Sequence, residues 1–128
     1  MNDLQRILYV EDEVSIQKVA KLALEMVGGF TVKICPSGAD ALLEAEAFAP
    51  DLILLDVMMP GMDGPSTLAA LREKPALSSV PIVFMTAKTQ QHDIDYYRSL
   101  GALDVIPKPF DPMLLATQVK SIWEKRNG

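Results

Sequence analysis

The sequence predicts an α/β domain, a five-stranded parallel sheet with helices on both faces. Two observations carry that expectation. Short apolar runs suited to buried strands alternate with stretches whose apolar residues recur at helical spacing, giving about five strand–helix units. The handedness and length of such crossovers make the sheet parallel. Several of the runs also stop abruptly on a polar residue and a turn, which gathers those residues at the carboxyl ends of the strands, where open α/β sheets bind ligands.

Arg6-Ile7-Leu8-Tyr9-Val10 is the first strand, running out into Glu11-Asp12-Glu13. An amphipathic helix follows, with Ile16, Val19, Ala20, Ala23 and Val27 on its inner face and Gly28-Gly29 as its stop. Phe30 to Cys35 alternates as a more exposed strand. Pro36-Ser37-Gly38 then turns into a helix carrying Ala41, Leu42, Ala45 and Phe48 inward, which Pro50 ends. Leu52-Ile53-Leu54-Leu55 is an aliphatic run too short for a helix, bounded by Pro50-Asp51 and Pro60-Gly61, and it stops on Asp56. Pro65 suits the first turn of a helix bearing Leu68 and Leu71, and 75–81 reads as a loop. Pro81 to Met85 is a buried strand ending on Thr86-Ala87-Lys88. Thr89 is the expected cap of a helix over 90–99, with Ile94, Tyr97 and Leu100 inward and Gly101 as its stop. Val105-Ile106 is a brief last strand leading to Pro107-Lys108-Pro109-Phe110. Asp111 is the expected cap of a final helix with Leu114, Leu115, Val119, Ile122 and Trp123 as its apolar residues, and 124–128 should fray.

One domain over 1–128, with a core of about 6–123, fits the 128-residue length. A hydrophobic fraction of 49% with 23% charged residues is globular. The single Cys35 cannot form an internal disulfide. The N-terminus lacks the basic flank and apolar stretch of a signal peptide, and no apolar run approaches the ~18 residues of a membrane span, so a cytoplasmic location away from membranes is expected. A net charge of -5 and a pI near 4.7 argue against direct nucleic-acid binding, which draws on basic patches. Proteins or a cation are the expected partners.

Asp56 alone would pass for an ordinary polar residue opening a loop. What changes its reading is that Glu11, Asp12, Thr86 and Lys108 also follow directly after strands. Three carboxylates in one small site call for a positive charge or a proton. Oxygen ligands without His or Cys favour Mg²⁺, with Mn²⁺ able to substitute, over zinc. Asp12 and Asp56 are the expected direct ligands, with Glu11 at longer reach. Thr86 supplies a hydroxyl and Lys108 a point charge, the parts needed to hold a transferring phosphoryl group.

With these motifs in view, the chain closely resembles the receiver domains of two-component response regulators from Arg6 to about Trp123. The resemblance rests on Ile7 to Glu13, Asp56 with Met58-Met59-Pro60-Gly61-Met62-Asp63-Gly64, Met85-Thr86-Ala87, and Gly101-Ala102 through Lys108-Pro109-Phe110. It implies a flavodoxin-like, doubly wound sheet of strand order 2-1-3-4-5. It implies further that Asp56 takes a phosphoryl group from the phosphohistidine of a sensor histidine kinase or a histidine phosphotransfer protein. Mg²⁺ would be held by Asp12, Asp56 and the backbone carbonyl of Met58, with Glu11 acting through water. Thr86, the Ala87 amide and Lys108 would hold the phosphoryl oxygens, and Lys108-Pro109 would be cis. Such a module catalyses its own phosphorylation and dephosphorylation without being a conventional enzyme. Its output would be a downstream protein docking on the face made by the 90–99 helix, the last strand and the last helix. A stand-alone regulator, a relay intermediate and a piece of a longer protein all remain open.

Two positions depart from the family pattern. Glu11 stands where Asp is frequent, and Val105 stands where receivers usually carry Tyr or Phe. Val105 has no ring to turn inward, so the switch either runs through the 87–91 loop and the following helix, with Tyr96 or Tyr97 reporting it, or is weaker. His92 is expected to be solvated. Met59 and Met62 should fill apolar gaps, leaving Met58 at the site's edge.

Three other functions compete. A haloacid-dehalogenase-like phosphatase would need a second acid at position 58. A flavodoxin-like cofactor binder would need a phosphate loop where Glu11-Asp12-Glu13 stand. A phosphorylation-independent interaction module of the same fold is opposed by the complete set of Asp12, Asp56, Thr86 and Lys108.

Overall fold

The computed structural model describes residues 3–126. Its elements run β1 (Arg6–Val10), α1 (Val14–Leu22), β2 (Thr31–Cys35), α2 (Gly38–Phe48), β3 (Leu52–Asp56), α3 (Gly64–Arg72), β4 (Ile82–Thr86), α4 (Gln91–Ser99), β5 (Asp104–Pro107) and α5 (Leu115–Lys125). The strands form one parallel sheet in the order β2-β1-β3-β4-β5, the expected doubly wound, flavodoxin-like topology.

Strand alternation divides the apolar residues strictly between two cores. Leu8, Val10, Ile53, Leu55, Ile82 and Phe84 pack toward α2, α3 and α4, meeting Ala41, Ala45, Leu68, Leu71 and Tyr97. Ile7, Tyr9, Leu52, Leu54, Val83, Met85 and Ile106 pack toward α1 and α5, meeting Ala20, Leu24, Leu115, Ala116 and Val119. Every residue of β3 and β4 is buried, as two-sided coverage requires.

Turn chemistry sets most helix starts. Ser37 accepts a hydrogen bond from the Asp40 amide at 3.1 Å, and Asp63 from the Ser66 amide at 2.8 Å with Pro65 in the first turn. Gly64 is needed for another reason: a Cβ there would lie 2.6 Å from the Asp56 carbonyl oxygen, so only glycine lets α3 start this close to the end of β3.

Four local expectations are corrected. The first helix ends in a π-helical turn over Ala23–Val27 whose extra residue rotates the chain, so Leu24 is fully buried while Val19 and Val27 are exposed. The start of α4 is set by Asp93, which accepts from the Gln90 amide at 3.2 Å and makes Gln90, not Thr89, the cap. Asp111 caps a separate turn, its carboxylate accepting from the Met113 amide at 2.9 Å; α5 begins only at Leu115, and Leu114 faces outward. Helix α5 runs on through Lys125, so fraying does not begin at Glu124, and 127–128 lie outside the described residues. The 75–81 loop contains one 3₁₀ turn, Pro75–Leu77.

Candidate functional site

Parallel strands place their carboxyl ends side by side, and the alternation that sorts the cores also sorts the site. Tyr9 and Glu11, Leu54 and Asp56, and Ile106 and Lys108 are each two residues apart, so Glu11, Asp56 and Lys108 continue the α1/α5 face beyond the strand ends. Thr86 continues the α4 face from Ile82 and Phe84.

The side chains meet accordingly. The Lys108 ammonium lies 2.8 Å from Glu11 Oε1 and 3.3 Å from Asp56 Oδ1, bridging two acids. Glu11 is fully buried, Asp56 is 3% exposed and Asp12 is half-buried. One carboxylate oxygen from each of Glu11, Asp12 and Asp56 falls within 4.8 Å of the others. Glu11 Oε1 also accepts from the Tyr9 hydroxyl at 3.1 Å, and Oε2 from the Glu13 amide at 3.2 Å. The Gln17 side-chain amide donates to the Glu11 carbonyl at 2.6 Å, tying α1 to the site. The buried Thr86 hydroxyl accepts from the Lys88 amide at 3.1 Å within its own loop.

The electrostatics record a surplus of negative charge. Burial, reinforced by the Glu11 charge and only partly offset by Lys108, pushes the Asp56 carboxyl up to about 6. Burial acts upward on Glu11 too. There the Lys108 and Glu13 hydrogen bonds, the Lys108 charge and the Tyr9 hydroxyl outweigh it and hold the carboxyl below its ordinary value. Burial would lower the Lys108 ammonium, but Glu11 and Asp56 raise it. One ammonium facing two buried acids and a half-buried third leaves room for a further cation. An all-oxygen donor set without His or Cys fits a hard divalent ion.

The structure therefore brings together Glu11, Asp12, Asp56 and Lys108, with Thr86 closing the rim from the other side and Ala87 exposed beside it. Met58 is 71% exposed at the rim while Met59 is buried and Met62 half-buried. His92 is exposed and, among the described residues, pairs only with Asp93. Lys108-Pro109 is cis. Sequence reasoning missed Tyr9, Gln17 and Gly64. The signal for Tyr9 was its place two residues before an acid on the same strand face.

This fold, with a buried acid–lysine cluster at the strand ends, defines a flavodoxin-like domain with an acidic, oxygen-lined cleft. Residues 7–120 match the response regulator receiver domain, and the chain belongs to that family, the signalling receiver of two-component response regulators. It is 36% identical over 125 residues to the transcriptional regulatory protein CseB of Streptomyces coelicolor, covering 98% of this chain and 52% of that protein. It is 40% identical over 117 residues to the DNA-binding response regulator MtrA of Mycobacterium tuberculosis, covering 91% and 50%. The chain thus spans about half the length of the curated relatives it matches. The chemotaxis response regulator CheY4 of Vibrio cholerae superposes with a TM-score of 0.86 at 28% identity, over 94% of this chain and 99% of that one. No helix among the described residues is long and apolar enough to cross a membrane.

Proposed function

We propose that Asp56 is the phosphoryl acceptor of a two-component or phosphorelay system, and that its modification alters a protein-docking surface. The observation that carries this reading is Lys108 bridging Glu11 and Asp56 at the buried end of β3. A carboxylate oxygen of Asp56 attacks the phosphorus of a phosphohistidine on a histidine kinase or histidine phosphotransfer protein. The P–N bond breaks, its electron pair stays on the ring nitrogen, the donor histidine leaves as neutral imidazole by keeping the proton already on its other ring nitrogen, and an acyl phosphate remains on Asp56. Asp12, Asp56 and the Met58 carbonyl would hold Mg²⁺, with Glu11 reaching it through water. The ion supplies charge that offsets the acids and the incoming phosphoryl oxygens. The Thr86 hydroxyl, the Ala87 amide and the Lys108 ammonium hold those oxygens. Hydrolysis of the acyl phosphate at the same site resets the domain.

Output passes to a protein partner through the α4/β5/α5 face. The receiver itself makes no nucleic-acid contact in this reading, in keeping with its net charge of -5. The DNA-binding role in the name of MtrA belongs to a protein about twice the length of this chain.

Intact-mass spectrometry after incubation with a small acyl phosphate tests the proposal. One phosphate is expected on the wild type with Mg²⁺, and none on Asp56→Ala or in excess chelator. A full adduct on Asp56→Ala would falsify the assignment of the acceptor, and one in excess chelator would remove the metal from the reaction; a wild type that takes up no phosphate would leave an interaction module independent of phosphorylation.

A further inference from the structure

We propose that the Tyr9 hydroxyl is a positioning group of this site, acting through Glu11 to hold Lys108 beside Asp56. The inference rests on the reading of Asp56 as acceptor. Tyr9 is fully buried in the α1/α5 core, where phenylalanine would fill the same space, so packing does not account for the hydroxyl. A buried phenol needs a partner, and here the partner is an ionised carboxylate, which makes the bond charge-assisted. The acceptor is Glu11 Oε1, the same oxygen that takes the Lys108 ammonium at 2.8 Å. Two donors occupy both lone pairs of Oε1 and aim it at Lys108. Oε2, engaged by the Glu13 amide alone, keeps one lone pair for the Asp12/Asp56 side.

The length of Glu11 makes this arrangement possible. An aspartate would withdraw the carboxylate by about 1.5 Å, one C–C bond, taking it out of reach of a hydroxyl now 3.1 Å away. Tyr9 and Glu11 are therefore a matched pair. The hydroxyl fixes the carboxylate, and the carboxylate fixes the ammonium 3.3 Å from Asp56 before any phosphoryl group arrives.

The test uses Tyr9→Phe, Glu11→Asp and the double variant. Proton exchange of the Lys108 ammonium is followed by NMR in chelator, and the rate of Asp56 phosphorylation by a small acyl phosphate is followed in Mg²⁺. Tyr9→Phe should speed ammonium exchange and slow phosphorylation about threefold to tenfold, the weight of one ordinary buried hydrogen bond. Adding it to Glu11→Asp, where the contact is already severed, should change neither. Unchanged exchange in Tyr9→Phe overturns the proposal, as does an equal loss in both backgrounds, which would mean a packing effect. Should Tyr9→Phe fail to fold, the Tyr9 hydroxyl proton of the wild type decides: bonded to Glu11 it should be seen by NMR as a slowly exchanging, downfield signal that Glu11→Asp abolishes, and a signal unchanged by Glu11→Asp overturns the proposal. A wild type that takes up no phosphate overturns the acceptor reading instead, and the ammonium measurement then still shows whether Tyr9 holds Lys108.

Discussion

The two sides of the strand-end rim are held in different ways. On the α1/α5 side, the buried Tyr9, Glu11 and Asp56 and the half-buried Lys108 form a continuous chain of charge-assisted contacts of 2.8 to 3.3 Å. On the α4 side, the Thr86 hydroxyl is bonded, among the described residues, only within its own loop, Val105 is half-buried, and Phe84 meets Tyr97 edge-on at 5.2 Å between ring centroids. Tyr97 in turn lies 5.6 Å from the exposed Tyr96. Breaking a buried ion pair costs several times as much as exchanging one neutral hydrogen bond or sliding an aromatic contact. The charged side is thus the costlier of the two to disturb and the α4 side the cheaper to rearrange.

The largest expected effect comes from breaking the charged side. Lys108→Ala strands the fully buried Glu11 beside Asp56 and should lower stability in chelator by about 3 kcal/mol without preventing folding. It should still accept phosphate yet lose the response of partner binding to phosphorylation. Urea denaturation and a pull-down with and without a phosphoryl mimic check both outcomes, and an unchanged response would remove Lys108 from the coupling.

Removing a carboxylate should act in the opposite direction. The Asp56 carboxyl is raised from 3.8 to about 6, so the folded state binds more protons than the unfolded chain between those values. This contribution is harmless below about pH 3.8, and stability is lost as the pH rises through about 6. Asp56→Asn should therefore stabilise the metal-free protein at pH 7 by about 1 to 2 kcal/mol, and by nothing near pH 3.8. Added Mg²⁺ should narrow the gap. Melting curves across this range that run parallel for the two proteins would contradict the assigned charge surplus.

The rearranging side is tested by occupying the site. With a stable phosphoryl mimic and Mg²⁺, amide exchange over 87–97 should change by about tenfold, roughly 1.4 kcal/mol, while the Tyr9–Glu11 region changes little. An unchanged 87–97 segment at an occupied site rules out a switch through this loop and α4. The weaker coupling that Val105 also allows would then stand.

The smallest effect lies far from the site on the α2/α3/α4 side. Ala49 ends α2 at φ 55°, a conformation that suits glycine. Ala49→Gly should add about 0.5–1 kcal/mol of stability, read by urea denaturation, and leave phosphorylation unchanged. A changed phosphorylation rate would show that coupling to the site on this side reaches well beyond α4.

What the amino-acid order determined by itself was whatever depends on neighbours a few residues apart. Short apolar runs stopping on Asp56, Thr86 and Glu11 marked strands and their rim, and Pro36-Ser37-Gly38 and Pro65 marked helix starts, because run length and turn chemistry act over a few residues. Even at that range, the π turn at 23–27 and the cap supplied by Asp93 escaped, since each depends on a backbone rotation or side-chain reach that several sequences satisfy. Only the tertiary structure decided which acid Lys108 holds. Glu11 and Lys108 stand 97 positions apart, and their 2.8 Å contact exists because β1, β3, β4 and β5 lie side by side in register. No local signal encodes that distance. It also decided that the Tyr9 hydroxyl and the extra methylene of Glu11 serve each other. A phenol in an apolar strand reads as core until burial removes water and leaves one carboxylate as its partner.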